Sequence, residues 1–272
     1  MALIGLDVGF SAKRATSGVA RLGLDGGLRL GHTTSAWESR RGITGTEPAD
    51  IAAIDAPYTT AGASERRDCE RVFTLGAFQR RCKPGLSDIP GTGRDFRAAG
   101  WGSAQQLKPI VPRKSLAADF PRIEDCNVVE AFPNAYLGVC LPADAYAEIP
   151  RPKRGKKFDW LYDSWGKRDL FRQVIDEIGL EAPGDLDGEL GRNTQHDERA
   201  ALVCLLTAAG VYAGRYTAVG ESTGGYFFLP PWARWAAWAR EELDRQRVRV
   251  LGLDVWIAGR RYSSADAIPL TT

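Results

Sequence analysis

Four carboxylates stand where the surrounding sequence is apolar. Asp7 closes the run LIGLD, Asp55 closes IAAID, Glu130 lies inside VVEAF, and Asp197 follows His196 at the head of an alanine- and leucine-rich stretch. An unpaired charge at the tip of a core strand costs several kcal/mol, so each needs a basic partner, a bound phosphate or a metal ion. Brought together, the four would repel one another and hold only with protons or divalent cations between them. Carboxylate and water ligands suit Mg²⁺ or Mn²⁺ rather than zinc. Such ions split phosphodiesters by activating water and stabilising the leaving oxygen. Each residue also has a plainer reading. A strand-end aspartate serves as a cap or turn residue, Asp197 suits a helix N-terminus, and Glu130 can pair with an arginine of RRDCER.

The elements that must position these groups follow from the hydrophobic pattern. LIGLDVG is a continuous apolar strand, SGVARLGLD and LRLGHTTSAW form a hairpin about DGG, and DIAAIDAP is a second continuous strand. Apolar character without alternation asks for cover on both faces, which predicts that the first and last of these run parallel. Asp7 and Asp55 then leave the same edge of the sheet, where ligands of α/β proteins collect. Residues 64–82 read as a helix, 83–115 as a long functional loop, and NVVEAF as a further strand broken at Pro133. Residues 149–160 read as a basic loop, 163–180 as a helix, APGDLDGELGRNTQ as a polar linker, and HDERAALVCLLTAAGVYAGRY as a helix. GGYFFLPP gives a short strand, WARWAAWAREELDRQR a helix, and the tail after it a strand or hairpin.

Bulk properties narrow the partners. A net charge of +2 is too small to imply polyanion binding over the whole surface and leaves room for local basic patches. One patch, RPKRGKKFDWLYDSWGKR, sets Lys153, Arg154, Lys156, Lys157, Lys167 and Arg168 among aromatic residues, a pattern suited to a nucleic-acid backbone with stacked bases. Lys13 and Arg67 are further candidates for phosphate contact. PGTGRDFRAAGWGS lacks the lysine and spacing of a P-loop. The tryptophans of WARWAAWAR fall at helical spacing and read as core or interface. Five cysteines without CxxC spacing and two histidines exclude a zinc knuckle and a histidine-rich metal site. The thiols read as reduced and mostly buried. With a strand starting almost at Met1 and no apolar run of membrane-spanning length, the expectation is a cytoplasmic protein without a membrane partner.

The ordered segments GLDVG, IDAP, RRDCER, VVEAFP, HDERAALVCLLTA and VGESTGGYFFLP resemble the predicted RNase H-like nuclease family catalogued as domain of unknown function 429, over about residues 3–231. The resemblance implies an α/β fold of ribonuclease H-like type: a three-stranded antiparallel meander joined to parallel strands and flanked by helices. It also implies a metal-dependent nuclease whose presumed catalytic and metal-binding residues fall on Asp7, Asp55, Glu130 and Asp197. Where the family usually has paired acids at the helix start this chain has His196, and a further family acid is Ala200 here. Residues 1–231 would form the RNase H-like domain and 232–272 a helix-and-strand extension packed on it. Two rival functions remain. A non-catalytic nucleic-acid- or protein-binding module would share the fold. A sugar-kinase or actin-like ATPase would share the Asp-x-Gly start, but LGLDVW at 251–256 has Trp256 in place of the glycine and too little chain after it for a second domain.

Overall fold

The computed structural model describes residues 2–23, 25–59, 66–82, 86–116, 119–148, 156–180, 185–263 and 265–269. It is an α/β structure on one mixed sheet. The chain opens with β1 (Leu3–Asp7), β2 (Ser17–Leu22) and β3 (Leu28–Thr33), followed by α1 (Trp37–Thr44) and β4 (Ile51–Asp55). Next come α2 (Asp68–Phe73), α3 (Gly76–Arg81), α4 (Thr92–Leu107), β5 (Val128–Ala131) and α5 (Pro133–Cys140). A 3₁₀ turn (Asp144–Glu148) leads to α6 (Lys157–Lys167), α7 (Leu170–Ile178), α8 (Leu186–Arg192) and α9 (His196–Tyr212). The chain ends with β6 (Thr217–Glu221), β7 (Gly225–Leu229), α10 (Ala237–Arg247), β8 (Asp254–Ile257) and β9 (Arg260–Tyr262).

The strand order is β3-β2-β1-β4-β5-β7-β6-β8-β9. The first three strands form the antiparallel meander, and β1, β4, β5 and β7 are parallel neighbours. Helix α9 is apolar nearly all round, as a helix buried along its length must be, and Ala200 through Val211 are buried. It reaches the sheet because two strand positions lack side chains. A Cβ on Gly5 would lie 2.2 Å from the Ala201 carbonyl oxygen, and one on Gly18 would lie 1.8 Å from that of Asp197. On the opposite face of β1 and β4, Ile4, Leu6, Ala52 and Ile54 pack with Ala104 and Leu107 of α4.

Several elements differ from the sequence-based expectation. The stretch expected as a loop at 83–115 contains α4, because Gly93, Gly100 and Ala104 are buried packing residues rather than turn formers. Gly100 lets the helix approach the Pro57 carbonyl, where a Cβ would lie 2.1 Å from the oxygen. The expected linker holds α8, whose Leu186 and Leu190 are buried four residues apart on one helical face. Helix α6 begins inside the expected basic loop, and Asp169, at a left-handed φ of 54°, separates it from α7 within the helix expected at 163–180. The helix expected over 64–82 is two, α2 and α3, divided at Thr74–Leu75. Pro133 ends the strand and also takes the first turn of α5, where its missing N–H costs nothing. Strand β6, hidden in the sequence, pairs with β7 and β8, so the C-terminal hairpin extends the same sheet. Trp232 and Trp235 are buried in the core, and all five cysteines are free and buried. No helix among the described residues is long and apolar enough to cross a membrane.

Candidate active site

Asp7 and Asp55 are register partners on the adjacent parallel strands β1 and β4. Neighbouring strands lie about 4.8 Å apart, so the sequence has set two carboxylates side by side at the C-terminal edge. Both are half-buried, and neither side chain accepts a hydrogen bond or forms an ion pair with a described residue. Burial, then the charges of Asp55 and Asp197, hold the Asp7 carboxyl well above its usual range, against a weaker pull from Arg40. Burial, then Glu130, pushes Asp55 up to about 7.

Asp197 joins this pair electrostatically because α9 starts over Gly18, on the strand beside β1. The helix is capped by the Gln195 side chain, which accepts the Glu198 N–H, so Asp197 is not occupied as the cap. Among the described residues its carboxylate has only a long contact from Gln195 Nε2, at 3.4 Å. His196 turns away, with Nδ1 3.1 Å from Asp159 of α6 and its ring against Phe158.

Glu130 is placed differently. Its register partner is Ile54, so alternation along the strands puts it on the sheet face opposite Asp7 and Asp55. There Arg67 grips it with two hydrogen bonds, Nη1 to Oε2 at 2.6 Å and Nη2 to Oε1 at 2.8 Å. The same guanidinium reaches Glu70 Oε1 at 2.7 Å and the Gly224 carbonyl at 3.2 Å. Burial disfavours the Arg67 charge, but Cys69, Glu130 and Glu70 more than restore it, and its pKa stands well above the ordinary value. Two expectations are therefore corrected. Glu130 is the partner of a buried arginine rather than an open metal ligand, and Arg67 is buried and committed rather than free for phosphate.

Among the other expected phosphate contacts, Lys13, Lys156 and Lys167 are exposed and Arg168 is half-buried. Lys157 donates to the Arg80 carbonyl. Lys153 and Arg154 lie outside the described residues. The start of α6 stands beside the start of α9 through the His196–Asp159 and Arg199–Asp159 contacts, which sets the part of the basic segment from Lys156 onward at the end of α9 that carries Asp197.

Two residues were missed in the sequence. Arg40 is buried and binds Gly9 O, Ser17 Oγ, Ser103 Oγ and Gln106 Oε1, tying the loop after Asp7 to α4. Burial lowers its pKa to about 10. No sequence signal separates it from Arg41 beside it. Glu221 ends β6 as Asp7 ends β1, and burial pushes it up to about 7. The pattern of an acid closing an apolar run could have found it.

The donor set can be weighed against a divalent cation. Among the described residues, no three or more His, Cys, Asp and Glu side chains gather closely enough to form a ready cage. Mg²⁺ does not require one, since it commonly keeps several waters and binds one or two carboxylates together with substrate phosphate. Two unpartnered carboxylates in register, with a third acid in electrostatic reach, fit that mode. Compared with known proteins, the chain matches no family model, no curated protein and no solved structure.

Proposed function

We propose that this protein is a divalent-cation-dependent phosphodiester hydrolase acting on nucleic acid, on a sheet of ribonuclease H-like type. The observation that carries the reading is the register pairing of Asp7 with Asp55, two adjacent carboxylates without a basic partner in hydrogen-bonding range. The antiparallel meander, the parallel acid-bearing β4 and the acid at the start of α9 support the fold reading and the resemblance to domain of unknown function 429.

Asp7 and Asp55 would hold Mg²⁺ or Mn²⁺, which when bound supplies Lewis-acid polarisation of the phosphate and a water of lowered pKa. Asp197 adds negative charge beside the pair and so favours a cation there. Arg40 fixes the backbone at Gly9 and keeps the Asp7 loop against α4. Lys13, Lys156 and Lys167 can reach the backbone of a bound strand. Glu130 and Arg67 hold the strand ends together from the other face.

The test is incubation with labelled single-stranded and duplex DNA and RNA in Mn²⁺ or Mg²⁺. Cleavage that falls to background in Asp7→Asn and in Asp55→Asn, with folding intact, supports the reading. Undiminished turnover in either variant contradicts it. The rival reading, a non-catalytic binding module, draws on the missing three-ligand cage, and it wins if strands bind with either cation present and none is cut.

A further inference from the structure

A cleft of about 480 Å³ opens beside the acidic pair, lined by Gly9, Phe10, Arg40 and one face of α4 that includes Asp95, Gly102 and Gln106. Neither carboxylate lines it, but Arg40 in its wall is within electrostatic reach of Asp7, and both walls come from segments close to the pair along the chain or in packing. Gly9 and Phe10 directly follow Asp7 and Val8, and α4 packs through Gly100 against Ala56 and Pro57, which directly follow Asp55. We propose that this cleft is a subsite for an unstacked base of single-stranded nucleic acid, which rests on the hydrolase reading and narrows its substrate class.

The chemistry of the lining selects a neutral flat ring. Phe10 stands at the wall with 49% of its surface exposed, its ring held edge-on by Phe96 at 5.6 Å. An exposed aromatic ring beside a strand-cleaving site is a stacking platform, since every base has a π-face. The α4 wall is shallow because Ala98, Ala99 and Gly102 carry little or no side chain, which leaves a slot rather than a filled contact. Asp95 and Gln106 offer an acceptor and an amide to the polar edge of a base. A phosphate fits poorly here. Asp95 would repel it, and all four Nη hydrogens of Arg40 already point to protein acceptors.

Gly102 gives a direct test, because a Cβ there meets nothing within 4 Å. Gly102→Leu therefore sends its side chain into the slot with no clash at the Cβ, and leucine is a better helix former than glycine. Binding of short labelled single-stranded DNA and RNA is read by fluorescence anisotropy in EDTA, with thermal melting as the check on folding. The expected result is that wild type binds, that Gly102→Leu and Phe10→Ala each weaken binding about tenfold, and that Phe10→Trp restores it. Unchanged affinity in Gly102→Leu, or no binding by wild type, overturns the proposal. Cleavage in Mn²⁺ by a Gly102→Leu protein of unchanged affinity refutes the subsite alone. Groove-dependent binding without any cleavage refutes the hydrolase reading alone and leaves the subsite standing.

Discussion

Asp55 and Glu130 sit on neighbouring parallel strands, each an acid inside apolar sequence, yet the molecule treats them oppositely. Glu130 is buried and gripped by both nitrogens of Arg67, which also serves Glu70. Asp55 is half-buried beside Asp7 with no basic group on its oxygens. The first arrangement is internally compensated and stiffens the fold. The second keeps charge uncompensated at the sheet edge, where only a proton or a cation from outside relieves it. One residue of register decides the outcome, because it turns Glu130 to the α2 face and Asp55 to the α9 face.

The sharpest way to break this contrast is to remove the compensating charge. Arg67→Met strands two buried carboxylates and should lower stability by about 3–5 kcal/mol, measured by urea unfolding. Glu130→Gln keeps the shape and one acceptor, and its cost should be nearer 2 kcal/mol in the same assay. At the other site the sign reverses. Asp7→Asn or Asp55→Asn removes one of two repelling acids and should raise stability of the cation-free protein by roughly 1.4 kcal/mol, one pKa unit's worth. A loss of stability in those variants would show that the pair is compensated after all.

The pH dependence sharpens the same point. A carboxyl whose pKa is higher in the folded chain keeps its proton longer when folded, so its stabilising share is complete below its unfolded value and lost as pH rises through the folded one. Asp55 and Glu221, both at about 7, and Asp7, also raised, give the cation-free protein a stability that falls from about pH 4 to about pH 7. In an Asp7→Asn, Asp55→Asn double variant the slope should shrink to the part contributed by the other acids that burial raises, Glu221, Glu130 and Asp68, as read by thermal melting across that range. The smallest effect belongs to exposed cations. Lys156→Ala with Lys167→Ala should weaken strand binding about threefold and lower its salt dependence by about two counterions.

The two strand-end aspartates and the parallel relation of their strands were legible, because an apolar run without alternation asks for a central strand whatever surrounds it. The fate of Glu130 was legible only as the plainer of two readings, a pairing with an arginine of RRDCER, and nothing local names Arg67, 63 residues away, over Arg66. Helix α4 was hidden for a different reason. Its Gly93 and Gly100 read as loop residues, whereas their role is to let backbone come close. The split between α6 and α7 rests on the left-handed backbone at Asp169, a choice made by packing and invisible in residue type.

Titration of Mn²⁺, followed by its electron paramagnetic resonance signal, separates the Asp7–Asp55 pair from the Glu130–Arg67 pair as the place where a cation binds. Wild type and Glu130→Gln should both take up the ion, while Asp7→Asn and Asp55→Asn should lose it. Equal loss in Glu130→Gln, or no uptake by wild type, would contradict the assignment of the Asp7–Asp55 pair as the cation site.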